Sequence, residues 1–500
     1  MYWKIFCLFF SVFYFIDVNG NEFVGLKHGK IVVCFFSSWA MFKNPPVRFQ
    51  ISDIDPSLCT HIVYAFAGLD ERSSTIKSIN QWLDIESNGG QAGYKNFTQI
   101  KKKYPHIKTI LSIGGWDEGS IKFSKMAADK WKMSEFINSV IQYLINYDFD
   151  GLNVMWKYPT TRGGSPEDKE NFVTLIKKLK EAFLPYGYIL TATLSHDRNI
   201  INSAYDLVSL NRYLDLIYLL GYDYYGPWSG VVGPLAPLKG FSKEDDRNVE
   251  YTIKYMLSFG VSPEKLVLGI PFYGRTLLLS EPDTKYIELG KTKTNNYGLS
   301  GPYINGTNFY VYNEICLKLK NGSKWSYHWD KNTSTPYLRD GGRVIIYENA
   351  RSIANKVKLA IDNDLAGFMV WSIDNDDFQG LCGSLNDTYI DFIESHELSK
   401  ALIHDNKDED NLKLKAYEHL KEKLMRLQEQ KFINYPLLRT IHQATEIVLE
   451  EKTITNVIKD ARKSSEGDTN KLSIEGHSRE TLGIPCVRTC SEVCFYGTNF

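Results

Sequence analysis

Neither sign of charge is in surplus in this sequence: 58 lysines and arginines stand against 59 aspartates and glutamates, a formal net charge of −1. A protein that grips nucleic acid through its phosphates carries a basic excess, so that class is set aside. Beyond residue 20 no apolar run is long enough to cross a bilayer, which takes about 20 residues. No Gly-x-Gly-x-x-Gly turn follows any apolar run, which argues against a doubly wound, dinucleotide-binding sheet. Aromatic residues, by contrast, abound, with 31 tyrosines and 27 phenylalanines. A large core or a cleft that stacks rings on sugar faces would each use them, and composition alone does not separate the two.

The first twenty residues have the pattern of a secretory signal: Lys4 at the charged start, an apolar stretch over Ile5–Ile16, and Val18 and Gly20 at the cleavage site. The expectation is a signal peptide over 1–20 and a soluble, secreted, extracellular protein. Of the eight cysteines, Cys7 would leave with the signal. Cys34, Cys59, Cys316 and Cys382 lie in the main body and should pair in an oxidising compartment. Cys486, Cys490 and Cys494 are an odd trio, leaving one thiol free or joined to another chain. Zinc held by these three with His477 is the alternative, but the secretory context favours disulfides. Neither a metal nor a cofactor is expected. Glycosylation candidates of the Asn-x-Ser/Thr pattern are Asn96, Asn305, Asn321, Asn332 and Asn386.

Eight short apolar runs recur between helical, charged stretches: Ile31–Phe36, Ile62–Phe66, Thr109–Ile113, Phe149–Trp156, Ile189–Leu194, Leu214–Leu220, Leu266–Phe272 and Gly367–Trp371. This alternation reads as parallel strands with crossover helices, and eight is the count that closes a (β/α)₈ TIM barrel. Between them, Lys130–Tyr147 has helical periodicity, and a second helix is expected to start at Pro166 with Ser165 as its cap. About seventy residues separate Arg275 from Tyr347, too many for a plain loop, so structure of their own is expected there. After about His396 the chain turns rich in Lys, Glu and Leu, with runs such as Lys413–Gln430 that read as amphipathic helix. This tail could be a helical extension packed on the barrel, an oligomerising segment or a disordered one.

The stretch Phe149-Asp-Gly-Leu-Asn-Val-Met-Trp-Lys-Tyr-Pro159 organises the rest. Leu152, Val154 and Trp156 alternate with Asn153, Met155 and Lys157, as in a strand with one set of side chains outward and the other inward. The stretch resembles the pattern Phe-Asp-Gly-aliphatic-Asp-aliphatic-Asp-Trp-Glu-Tyr-Pro of the chitinases and chitinase-like proteins of glycoside hydrolase family 18. Phe149, Asp150, Gly151, Trp156, Tyr158 and Pro159 keep the frame, while Asn153, Met155 and Lys157 stand where it has three acids.

That resemblance implies a barrel over 21–275 and 346–396, a small α+β domain inserted over 276–345, and a tail over 397–500 outside the family pattern. It implies the disulfides Cys34–Cys59 and Cys316–Cys382. It implies a cleft at the carboxyl ends of the strands, where barrels of this kind keep their active sites. Trp371 matches the ring beneath the central sugar, Tyr222 and Asp223 the pair that orients an N-acetyl group, Trp39 and Trp116 flanking platforms, and Tyr273 and Arg275 polar contacts. One common family tyrosine is Phe35 here. It also implies chitin or chito-oligosaccharide as partner.

The family cleaves by substrate-assisted hydrolysis, outside the usual two-carboxylate scheme. A glutamic acid protonates the bridging oxygen, the substrate's acetamido oxygen attacks, and an aspartate steadies the cation formed. Those two positions are Lys157 and Met155. A lysine with an ordinary pKa of about 10.4 is a poor general acid near neutrality. General acid catalysis alone is typically worth about 10²–10⁴-fold. The expectation is therefore a pseudo-enzyme that binds chitin or N-acetylglucosamine oligomers, with Lys157 paired to Asp223. A secreted signalling or structural protein acting through protein contacts, with its tail as the candidate surface, is the second reading. A hydrolase with a relocated acid is the third. Deleting the chain after about Glu397 should spare sugar binding and abolish contacts made by the tail.

Overall fold

The structure is a computed structural model that describes residues 26, 28–295, 297–304, 306–319, 323–382, 422 and 434–471. The expected signal peptide, Cys486, Cys490, Cys494, His477, Lys413–Gln430 other than Glu422, and the candidates Asn305, Asn321 and Asn386 lie outside these residues. Asn96 and Asn332 are exposed. Among the described residues no helix is long and apolar enough to cross a membrane.

The first eight strands in chain order are β1 (Ile31–Ser37), β2 (His61–Leu69), β3 (Ile76–Ser78), β4 (Lys108–Gly115), β5 (Gly151–Trp156), β6 (Ile189–Leu194), β7 (Leu216–Leu219) and β8 (Leu266–Pro271). Six follow close together: β9 (Tyr273–Leu279), β10 (Thr294–Asn295), β11 (Phe309–Val311), β12 (Ser326–Asp330), β13 (Thr335–Asp340) and β14 (Arg343–Ile346). The last is β15 (Gly367–Trp371). Strands β1, β2, β4, β5, β6, β7, β8 and β15 pair in parallel, each with the next, and β1 also pairs with β15, so the sheet closes. This is the (β/α)₈ barrel expected from the eight apolar runs.

Side-chain alternation sorts the core into two layers. Leu152, Val154 and Trp156 of β5 join the layer between strands and helices, whereas Met155 joins a separate cluster inside the barrel with Phe35, Tyr218, Tyr222 and Met369. The outer layer is sealed by helices that expose one face only. Lys130–Tyr147 buries Met133, Phe136, Ile137, Val140 and Leu144, and its free N–H groups at Trp131 and Lys132 are accepted by the Asp129 carboxylate. The next long helix starts at Asp168 and not at Pro166. Ser165 does not cap it: the Asp168 carboxylate accepts from the Ser165 amide at 2.8 Å and the Ser124 hydroxyl at 2.9 Å.

Strands β9–β14 form one six-stranded sheet, antiparallel in every pairing, with the helix Tyr312–Lys318 between β11 and β12. The sheet begins at Tyr273, so Tyr273 and Arg275 belong to its first strand. Cys34 is bonded to Cys59, and Cys316 of the inserted helix to Cys382 after β15.

The tail re-enters the barrel. In the helix Pro436–Lys471, the stretch up to Glu450 belongs to the same compact unit as the barrel, and the described residues from Glu451 on belong to a second unit. Leu437, Leu438, Ile441, Ala444, Ile447 and Val448, with Tyr435 just ahead of them, are part of the outer core layer. Three fixings hold this segment. The Asp376 carboxylate, just past β15, accepts from the amides of Leu437 and Leu438 at 3.3 and 2.9 Å, capping the helix start. The Tyr435 hydroxyl donates to the carbonyl of Asp53. His442 bonds the Leu58 carbonyl through Nε2 and His28 through Nδ1, both at 2.9 Å. The barrel was expected to end near residue 396, but its outer layer takes in residues from Tyr435 to Val448. A deletion after Glu397 therefore cuts into the barrel's core and cannot separate sugar binding from contacts made by the tail.

Candidate functional site

The carboxyl ends of the barrel strands bring the sequence-selected residues to one rim. At the end of β4, Gly114 and Gly115 have φ of +109° and +96°, a region that disfavours side chains. A Cβ on Gly114 would fall 2.4 Å from the Met155 carbonyl oxygen, so only glycine lets β4 run this close to β5 before Trp116.

The three degenerate positions sit at three depths. Asn153 is fully buried and fully used. Its Oδ1 accepts from Ser112 at 2.8 Å and Thr193 at 3.1 Å, and its Nδ2 donates to Thr191 at 3.0 Å. The register that sets Ser112 and Thr191 directly opposite Asn153 makes this network. Met155, also buried, is packed in the apolar interior cluster. Lys157, one residue past the end of β5, is half-buried.

The expected Lys157–Asp223 ion pair does not form. Asp223 is taken by Arg275, whose Nε and Nη2 reach its two carboxylate oxygens at 2.9 and 2.8 Å. A planar guanidinium matches both oxygens at once, which a lysine cannot do. Burial opposes ionisation of Asp223, but Arg275 on its oxygens and the nearby Tyr273 hydroxyl hold its carboxyl below the usual range. Asp223 has φ of +64°, a conformation aspartate tolerates better than most residues. Two lone pairs of the carboxylate remain after a fork with arginine, so Asp223 keeps capacity for a ligand. Lys157 has no ion-pair partner among the described residues. Burial lowers its pKa to about 8; Asp223 opposes the shift, while Arg162 and Arg275 add to it.

Rings line the rim in a chain. Phe35 packs against Trp371 at 5.3 Å between centroids, Trp371 stacks on Phe66 at 5.7 Å, and Phe66 stacks on Trp39 at 5.8 Å. On the side of the inserted sheet, Tyr222 meets Tyr273 edge-on at 5.8 Å, and Tyr273 stacks on Phe309 at 4.7 Å. Trp39 and Trp116 remain 44 % and 59 % exposed, large apolar faces turned to solvent. One face of Trp116 is covered by the Arg162 guanidinium, 3.9 Å from the ring centroid. Arg162, Phe66 and Phe309 were missed in the sequence. Phe66 had a signal, an aromatic at the end of an apolar run, as at Phe36 and Trp371. Arg162 lies in a loop and Phe309 in the insertion, where no periodicity points inward.

Residues 31–376 match the model of glycosyl hydrolases family 18. The chain belongs to this family. Among family-18 relatives, probable chitinase 2 of Drosophila melanogaster is 39 % identical over 440 residues, 86 % of this chain and 83 % of that protein. The group IV chitinase of Ostrinia furnacalis in complex with allosamidin is 39 % identical, with a TM-score of 0.67 over 71 % of this chain and 94 % of its own. Human YKL-39, a pseudo-chitinase with retained chitooligosaccharide-binding properties, is 28 % identical, with a TM-score of 0.64 over 83 % and 99 %. Family 18 thus holds proteins named as chitinases and a pseudo-chitinase on one fold, and membership alone does not decide between the two.

Proposed function

We propose that this family-18 protein is a secreted pseudo-enzyme that binds chitin or N-acetylglucosamine oligomers in its ring-lined groove and does not cleave them. The observation that carries this reading is the end of β5, where an ammonium and a thioether occupy the two positions that the family resemblance assigns to the acid and its partner. A cation at Lys157 opposes the positive charge that develops on the sugar, and Met155 gives it no stabilisation. The acid whose charge acts on Lys157 is Asp223, and Arg275 holds it ionised. An ionised carboxylate has no proton to give to a leaving oxygen.

The binding half rests on the rings. Trp371, Trp39 and Trp116 offer large, rigid contact area at small entropic cost, and Tyr222, Asp223 and Tyr273 offer hydroxyl and carboxylate partners beside it. Secretion rests on the pattern of residues 1–20 and on two disulfides, which persist in oxidising compartments. The test is calorimetric titration of the full chain with an N-acetylglucosamine tetramer, in the wild type and in Trp371→Ala. Saturable binding that weakens about 10-fold or more in the variant, about 1.4 kcal/mol, supports the reading. Absence of binding to any β-1,4 glycan removes it.

A further inference from the structure

The cations of this groove outnumber its acids. Arg275 takes both oxygens of Asp223. Lys157 and Arg162 have no carboxylate partner among the described residues. Arg162 spends Nη1 on the carbonyls of Trp116 and Lys157, at 2.8 and 3.0 Å. Its Nε and Nη2 make no hydrogen bond among the described residues, and these are the atoms that meet a carboxylate in a fork. Nearby on the surface the pattern is different. Lys77 has Asp70 at 3.2 Å, Lys122 has Glu118 at 2.6 Å, and Lys125 has Glu71 at 2.7 Å. Lys157, Arg162 and Arg275 stand against Asp223 and Asp197, whose charges act on the same Tyr158 and His196, and leave a net of one positive charge beside the exposed Trp116 ring.

We infer that the groove selects anionic glycans: an N-acetylated β-glycan whose units carry carboxylates places one on Lys157 and Arg162 beside Trp116, and is held more tightly than its neutral counterpart. This deepens the sugar-binding reading above and rests on it. A ligand carboxylate supplies the counter-charge that the protein withholds, and relieves a half-buried ammonium that has none. Burial above all, with Arg162 and Arg275, lowers the pKa of Lys157 to about 8 against the pull of Asp223, and an anion bound there raises it. The same cations repel a deacetylated chain, whose units are ammonium ions themselves.

The test uses the full chain and three tetramers of one backbone: N-acetylglucosamine, the same oligomer oxidised at C6 to carboxylates, and fully deacetylated glucosamine. By calorimetry in low salt, the oxidised tetramer should bind about 10-fold more tightly than the neutral one. The advantage should shrink as salt shortens the Debye length from about 30 Å at 0.01 M to about 8 Å at 0.15 M, and the glucosamine tetramer should not bind. Lys157→Gln and Arg162→Gln should each erase the difference between oxidised and neutral ligands. Neutral binding with no advantage for the oxidised tetramer overturns this inference and leaves the sugar-binding reading standing. Failure of all three to bind overturns both.

Discussion

The helical segment that follows residues 383–433 makes the strongest claim on stability. Leu438 and Ile441 are fully buried on one face of that helix, and they share the outer core layer with Phe49, Leu58 and Phe378. Truncating a buried leucine or isoleucine to alanine costs about 2–5 kcal/mol, set by the cavity left behind. A folded domain as a whole has about 5–15 kcal/mol to lose. Leu438→Ala alone should lower the melting temperature by about 4–20 °C, given about 2–4 °C per kcal/mol in domains of roughly 200 residues. Leu438→Ala with Ile441→Ala should bring the protein near unfolding at room temperature. A chain ended at residue 433 loses these buried side chains and the hydrogen bonds that Tyr435 and His442 make to the carbonyls of Asp53 and Leu58, and should not yield a folded product. The assay is thermal unfolding followed by near-ultraviolet circular dichroism, with Glu446→Ala, on the partly exposed side of the same helix, as a control expected to move stability by less than about 0.5 kcal/mol. If Leu438→Ala melts with the wild type, or the chain ended at 433 folds to the same melting temperature, the helix is not part of the barrel's core.

Three further outcomes follow from the same geometry. The Lys30 amide donates to His28 Nδ1, so His28 donates from Nε2 to His442 Nδ1, and His442 donates from Nε2 to Leu58. The relay needs both rings neutral, and burial above all lowers their pKa values, to about 4 for His28 and about 3 for His442. The unfolded chain binds these protons first as pH falls through about 6.5, so this contribution is full above that pH and lost towards pH 4 and below; His28→Gln with His442→Gln should flatten the slope of stability against pH in denaturant titrations between pH 6.5 and 4. Asn153→Leu should cost about 2–4 kcal/mol, because Ser112, Thr191 and Thr193 lose a buried partner; an unchanged denaturation midpoint would count against that network. Arg275→Met removes a repelling cation and frees Asp223, so the pKa of Lys157 should rise from about 8, read from the pH dependence of its amine-labelling rate; a fall would contradict the assigned causes.

The barrel was legible because strands buried on both faces read as near-continuous apolar runs, and all eight such runs became barrel strands. The strand ends were legible for the same reason, since a run that stops at Trp371 or at Gly114–Gly115 marks the rim directly. The partner of Asp223 was not. Lys157 and Arg275 both stood as strand-end cations, and the choice depended on guanidinium geometry across two strands, which spacing does not encode. The re-entrant helix was hidden by residues 383–433, whose Lys- and Glu-rich sequence lies between Cys382 and Tyr435 and reads as the start of a separate tail. Arg162 became visible only when the loop after Pro159 folded back over Trp116.

The central claim is that the end of β5, with an ammonium and a thioether where the family resemblance places two acids, cannot steady a sugar cation. It is tested most directly by incubating the purified full chain with a fluorogenic N-acetylchitobioside from pH 4 to 9. No release above the uncatalysed rate at any pH, from protein that binds the N-acetylglucosamine tetramer in parallel, is the result predicted. Turnover at an ordinary enzymatic rate, abolished by a single substitution in the groove, would contradict it.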